Sequence, residues 1–336
     1  MMNHKTHSFA SLNAFSKLLL DYLAEKPELK AFYGNGPQLA KFKDQISEKK
    51  SFPAANRAIL QTVLTEQYAA IGAEMPAIDL RDENTFTVTT GHQLNIYTGP
   101  LYVIYKLVST INLARALQKA YPAQRFVPVY WMATEDHDFE EINHFFAFGT
   151  KYTWNTPQKG AVGRFALSDF PKIPFRNEIF DKAYAEGKSL SEAVRIYMHA
   201  LFGAEGLLCL DADDQRLKSI FAPIMEADLT QQVHEPIVRA TSEKLEALGY
   251  KTQVSARPVN LFQLTANDRV RLEKGDSVDI SEASPNVILR PLYQEVILPN
   301  LAYIGGPAEV AYWLQLKGIF DLHQVPFPIL LPRNFA

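Results

Sequence analysis

The chain has 336 residues, 47% of them hydrophobic and 12% aromatic, enough apolar surface for a sizeable core and more than one structural unit. Its 34 basic and 37 acidic residues leave a net charge of −3, so bulk charge gives no reason to expect nucleic acid or an anionic membrane as a partner, and any anion binding has to be local. The most apolar early stretch, SKLLLDYLA at 16–24, carries charge and is too short to span a bilayer, and no signal-peptide pattern precedes it, so a cytoplasmic protein is expected.

Residues 1–84 read as a helical N-terminal segment, with Leu18, Leu19, Tyr22 and Leu23 on one apolar face and Ile59, Leu60, Val63, Leu64 and Tyr68 on another. At residue 85 the pattern changes. FTVTT is a short β-rich run ending at a glycine, LYVIYKLVSTINLARAL is helical and FVPVYWMAT is a second apolar strand, so 85–150 is expected to hold a βαβ crossover in a parallel sheet. Residues 151–205, broken by Pro157, Pro171 and Pro174 before an amphipathic helix at 189–202, look like an insertion between two halves of that sheet. The β-α rhythm resumes over 206–258, where the strand GLLCLDADD precedes a helix carrying Leu217, Ile220, Phe221, Ile224 and Met225. The only cysteine, Cys209, lies between two leucines of that strand, which predicts a buried thiol and excludes an internal disulfide. Residues 259–283 predict a hairpin turning at Ala266-Asn267-Asp268, and 284–336 give strand, glycine turn, helix and strand once more. The fold class is α/β with a parallel sheet core. The sequence ends at PILLPRNFA, close behind an apolar strand where a doubly wound fold ordinarily continues, and reads as a truncated or abbreviated chain.

In such a sheet ligands bind outside the carboxyl ends of the strands, and three strand ends are unusual. In TTGHQLNIYTGP (89–100), Gly91 permits a sharp exit, Thr98 is a candidate N-cap, and Gly99-Pro100 suits a helix start, leaving His92 and Gln93 unexplained beside free N–H groups that favour a phosphate or carboxylate. In ATEDHDFEEINH (133–144), Asp138 and Glu141 are spaced as a capping box, while Glu135, Asp136 and His137 have no structural role. His137, Glu141 and His144 also stand at helical spacing, but the two-histidine i, i+4 signature is lacking and no metal site is expected. In YIGGPAEVAYW (303–313), Gly305 and Gly306 allow close approach and Pro307 starts a helix whose N-terminus would again face the cleft, with Tyr312 and Trp313 read as core aromatics. There is no GxxxxGK[ST], GxGxxG or GxSxG, which argues against P-loop enzymes, ordinary dinucleotide dehydrogenases and α/β-hydrolases.

The stretches TGHQLNIYTGPLYVIYK (90–106), VPVYWMATEDHDFEEINH (127–144), LDADD (210–214), NLFQL (260–264) and SPNVILRPLYQEVILPNLAYIGGPAEVAYWLQLKGIF (284–320) resemble the bacillithiol-biosynthesis cysteine-adding enzymes, in family order. The resemblance implies a Rossmann-like core related to class I aminoacyl-tRNA synthetases, with connecting-peptide insertions. It implies addition of cysteine to glucosaminyl-malate, the last step of bacillithiol synthesis. Full-length members are expected to dimerise through a coiled coil that would follow the last residues here. Amide formation from a carboxylate and an amine is uphill in water, so ATP with Mg is expected as co-substrate, and no tightly bound cofactor. His92, Gly91, Gln93, Thr98, Gly99 and the turn Gly305, Gly306, Pro307 would bind phosphate or developing negative charge. Asp136 or Asp138, or else His137, would orient or deprotonate the attacking amine, with Glu135 beside them. Arg290 and Lys106 would meet substrate carboxylates, with Asn286 close by. The rival expectations are a binding or regulatory core that does not turn over, and a nucleotidyl transferase acting on another small acid.

Overall fold

The computed structural model describes residues 7–335; the first six residues of the N-terminal segment and Ala336 lie outside the described residues. Its centre is a sheet of β1 (Thr85–His92), β2 (Arg125–Met132), β3 (Leu208–Asp211), β4 (Asn300–Gly305) and β5 (Ile329–Pro332). These stand in the order β5-β4-β1-β2-β3 and every neighbouring pair is parallel. Read from the β3 edge this is the 3-2-1-4-5 order of a doubly wound sheet, and the winding reverses between β1 and β4.

The strands are buried because both faces of the sheet are covered. β1 is covered along nearly its whole length in spite of four threonines, since Thr87 and Thr89 donate their hydroxyls to Asn300 Oδ1 (3.2 and 2.8 Å) and Thr90 donates to the Ile304 carbonyl (2.8 Å). Each hydroxyl pairs β1 with β4, so the polar half of the FTVTT alternation becomes a register device rather than a solvent face. Helix Leu101–Ala120 makes the β1 to β2 crossover, burying Val103, Leu107, Ile111, Ala114 and Leu117 at helical spacing. Cys209 is buried in β3, and its thiol is pushed up to about 12, chiefly by burial.

The N-terminal helices Phe42–Lys49 and Ala54–Ala70 fix the entry and rear of this sheet. Arg57 gives one guanidinium nitrogen to the carbonyls of Leu80 (3.1 Å), Asp82 (3.0 Å) and Thr85 (2.7 Å), which shapes the chain as it enters β1. Lys49 forms a fully buried ion pair with Glu295 (3.2 Å), and Glu295 in turn accepts from Asn300 (2.6 Å) and Gln294 (3.0 Å). One polar chain therefore runs from the N-terminal segment through Glu295 and Asn300 to β1.

Between β2 and β3 a hairpin, His144–Ala147 against Thr150–Thr153, and the helices Glu178–Glu186 and Leu190–Phe202 build their own apolar cluster around Trp154, Phe165 and Tyr197. The expected second hairpin is present as Leu261–Leu264 with Arg269–Arg271, and a third antiparallel strand, Ala283–Pro285, joins its other edge. That three-residue strand is too short to show a period of its own.

Two helix starts differ from the sequence reading. Thr98 does not cap the crossover helix: Tyr97, Thr98 and Gly99 all have positive φ (51°, 67° and 59°), and the helix begins at Leu101 behind Pro100. Gly99 is required there because a Cβ would lie 2.4 Å from the Asn95 side chain. Asp138 and Glu141 do not form a capping box, since the helix Phe139–Ile142 is a single turn, Asp138 makes no cap bond and Glu141 accepts from Gln93 (2.8 Å). Among the described residues no helix is long and apolar enough to cross a membrane.

Replacing Lys49 by Met strands the Glu295 carboxylate in the interior, and urea unfolding should show a loss of about 3–5 kcal/mol with an unchanged m-value; a loss under about 1 kcal/mol would mean that the pair does not anchor the segment.

Candidate functional site

A cleft of about 680 Å³ opens at the carboxyl ends of the strands, lined by residues of β1, β2 and β4 and of the three-stranded insertion. It lies over the point where the winding reverses, where an open α/β sheet leaves room for a ligand.

Its inner wall is closed by one ion pair. Lys106, on the crossover helix and 4% exposed, reaches back to donate to the Gly91 carbonyl (2.7 Å) and meets Glu309 at 2.5 Å. Glu309 also accepts from the Gly306 N–H (2.7 Å) and the Tyr303 hydroxyl (2.6 Å). Burial opposes ionisation of Glu309, but Lys106 and these donors prevail and hold its carboxyl below the usual range. The Gly305-Gly306-Pro307 turn is therefore plugged by its own Glu309, a correction to the expectation of free N–H groups there, and Gly305 and Pro307 stay outside the lining. Lys106 is likewise committed to Glu309 and Gly91.

His92 ends β1 and stacks on Tyr102, with ring centroids 5.3 Å apart. The Gln93 N–H donates to its Nδ1 (2.7 Å), which fixes Nδ1 as acceptor and leaves the proton of the neutral ring on Nε2. Nε2 is buried and has no partner among the described residues, and the residue is part of the cleft lining. Burial first, then the neighbouring Lys106, pushes the imidazole down to about 3, so it is a neutral donor at pH 7 and a poor base.

Arg290 stands above Trp131 and Tyr303, 5.9 and 5.7 Å from their centroids, and is held by Gln294 (3.2 Å) and the Tyr312 hydroxyl (3.5 Å). Tyr312 is thus a cleft residue, whereas its neighbour Trp313 is core. A Cβ on Gly91 would lie 3.2 Å from the Tyr303 hydroxyl and 3.5 Å from an Arg290 nitrogen, so glycine there lets the guanidinium approach the strand end. Arg333, just after β5, lies 5.4 Å from the Tyr102 ring.

The acids after β2 separate into different environments. Asp136 faces the cleft, accepts from Gln93 Nε2 (2.9 Å) and from the His137 N–H (2.7 Å), and has Arg269 at 4.0 Å. Glu135 pairs with Lys218 (2.7 Å), which also meets Asp213 (2.7 Å). Burial pushes the Glu135 carboxyl up against the pull of Lys218. His137 and Asp138 are exposed outside the lining, His137 3.4 Å from Arg269 and Asp138 with no side-chain bond among the described residues. Asn286 borders the cleft, but its carbonyl oxygen accepts from the Ile288 N–H (2.8 Å) and its amide donates to Asn260 (3.2 Å). Thr98 and Gly99 shape the loop and do not line the cleft. Sequence reasoning missed Glu309, Tyr303, Arg333 and the arginines of the insertion. The Gly306 to Glu309 spacing of a capping box was the one available signal.

Fold and cleft together define a Rossmann-like α/β protein with a basic site at the switch point of its sheet. The sequence matches the family model described as Bacillithiol biosynthesis BshC, N-terminal Rossmann-like domain, over residues 2–283 and 277–334, and the chain belongs to that family. A relative from Flavobacterium psychrophilum is 45% identical, with 98% of this chain and 69% of that protein covered. One from Christiangramia forsetii is 42% identical (98% and 69%), and one from Cytophaga hutchinsonii 40% (96% and 67%). All three are provisionally named cysteine ligase BshC.

Because the His92 ring is neutral in the fold and titrates near its ordinary value when unfolded, protonation favours the unfolded chain: its contribution is intact above about 6.5 and is lost as pH falls toward about 3. Imidazole ¹⁵N spectra should show the Nε2–H tautomer for His92 with no titration between pH 8 and 5, and a midpoint near 6.5 would overturn this assignment.

Proposed function

We propose that this chain carries the active site of a ligase that joins the carboxylate of cysteine to the amine of glucosaminyl-malate, with ATP as the activating co-substrate. The observation that carries the reading is the neutral His92 donor, fixed by Gln93 and without a partner, beside Arg290 and Arg333, which have no carboxylate partner among the described residues. Family membership and the names of the relatives support the amide-forming chemistry.

In this scheme a cysteine carboxylate oxygen attacks a phosphorus of ATP and expels pyrophosphate or ADP, giving an acyl-adenylate or acyl-phosphate. The amine nitrogen then attacks the acyl carbon, AMP or phosphate leaves, and the nitrogen gives up a proton. His92 donates to a phosphoryl or carbonyl oxygen as negative charge grows on it, and Arg290 and Arg333 offset that charge without any proton transfer. Asp136, pinned by Gln93, orients the ammonium and takes its proton. Magnesium would be held on the phosphate oxygens with Asp136 as the available protein carboxylate, since Glu309 and Glu135 are engaged by Lys106 and Lys218.

Mass spectrometry of the cysteine adduct formed from cysteine, glucosaminyl-malate and ATP tests the reading. His92→Ala should lower kcat by roughly 10²–10³ while circular dichroism stays native, and Asp136→Asn should lower turnover with the fold likewise intact. Unchanged turnover in either variant removes that residue from the mechanism, and no ATP-dependent adduct with the unsubstituted chain sinks the ligase reading.

A further inference from the structure

The cleft reverses the charge of the chain. Six cations and three carboxylates line it, in a protein with more acidic than basic residues. Two of those carboxylates are already engaged, Glu309 by Lys106 and Glu135 by Lys218. The excess positive charge lies in two places. Arg290 and Arg333 stand at the switch point, and Arg269 and Arg271 stand on the three-stranded insertion with Arg257 on the loop that leads into it.

The second group is a preorganised arrangement. Arg269 and Arg271 are two apart on one strand and so share a face. Phe262, paired with Arg271 across the ladder, lies beneath both guanidinium groups, 4.1 Å from Arg269 and 5.7 Å from Arg271. Arg269 is further fixed by Ser284 Oγ (3.2 Å) and the Pro285 carbonyl (3.1 Å), and its buried Nε has no partner among the described residues. Arg257 enters from the adjoining loop, where its backbone N–H and carbonyl are clamped by the Asn260 side chain (3.1 and 2.8 Å), itself held by buried Asp228 (3.1 Å). Neither Arg257 nor Arg271 makes a side-chain hydrogen bond or ion pair among the described residues, and Arg269 has one carboxylate at ion-pair distance among them, Asp136 at 4.0 Å, with Glu135 acting on it from further off.

We propose that Arg269 and Arg271, held over Phe262, and Arg257 of the adjoining loop form a second anion subsite that takes the multiply charged acidic end of one reactant, while the switch point takes the reacting group. Three guanidinium forks lining one side of the cleft, two of them over the Phe262 ring, match a group that offers several acceptor oxygens, either a vicinal dicarboxylate or a phosphate. The assignment rests on reading the cleft as the place where an acid and an amine are joined, and it gives the insertion the task of selecting among reactants by the charge of their far end.

Calorimetric titration of the whole chain with malate, inorganic phosphate and acetate at constant ionic strength tests this. Malate or phosphate should bind more tightly than acetate, and R257Q combined with R271Q should weaken the preferred probe by roughly tenfold or more, with Arg→Lys at both positions giving partial recovery. Arg257 and Arg271 are exposed, so the fold should survive, which an unchanged urea midpoint would verify. Loss with malate identifies a dicarboxylate, and loss with phosphate a phosphate. The proposal is overturned if the double variant binds the probes like the unsubstituted chain, if affinity is lost only in R290Q, or if no probe binds. Failure of the ligase reading is seen separately, as absence of ATP-dependent adduct in a chain whose probe binding still depends on Arg257 and Arg271.

Discussion

The buried contact between Lys106 and Glu309 is the constraint on which the site depends. It joins the helix that leaves β1 to the helix that leaves β4, so it crosses the gap where the sheet changes its direction of winding. A buried pair is stable only when its remaining donors and acceptors are satisfied, and here Gly91, Gly306 and Tyr303 supply them. With Lys106 neutralised and the Gly306 N–H occupied, the charged and donor groups of the lining still available to a ligand include His92, Asp136 and the arginines. The proximity of Lys106 also helps to keep the His92 ring neutral, which makes it a donor.

Behind the cleft the same logic is repeated in the sheet. β1 and β4 are zipped by threonine hydroxyls converging on Asn300, Asn300 is held by Glu295, and Glu295 by Lys49 of the N-terminal segment. A shift of register would orphan several buried polar groups together, so this network specifies alignment where apolar packing alone would tolerate slippage. The N-terminal helices thereby help determine where the ends of β1 and β4 lie, and with them His92 and Gly306.

The cleft separates its charges by environment. Two of the lining carboxylates pair with lysines, while of the five lining arginines four are without any ion pair among the described residues. In the proposed scheme an anionic reactant is drawn in against a net negative protein because the local field, not the total charge, decides binding in a cleft. In the proposed reaction this field holds phosphate and carboxylate oxygens together while Asp136, tied to His92's neighbour Gln93, keeps one carboxylate near the amine.

The sequence by itself determined the α/β class, the strands ending at His92 and Gly305, the crossover between β1 and β2, the buried Cys209 and the kinship with the bacillithiol enzymes. Those features are local or nearly so: apolar periodicity, glycine at a strand exit, or long stretches of recognisable residues. It also pointed to His92, Gln93, Asp136 and Arg290 as cleft residues, because strand ends in this architecture converge. The tertiary structure alone decided which groups are free. Thr98 lost its capping role to a left-handed turn, Lys106 and Gly306 were claimed by Glu309, Tyr312 turned to the cleft while Trp313 went to the core, and Asp138 was left in solvent. The insertion and the loop before it, more than a hundred residues from His92 in the chain, brought Arg257, Arg269 and Arg271 to the same cleft. Pairing across such separations leaves no local pattern, because whether a charged side chain is available depends on which partner the fold brings within reach of it.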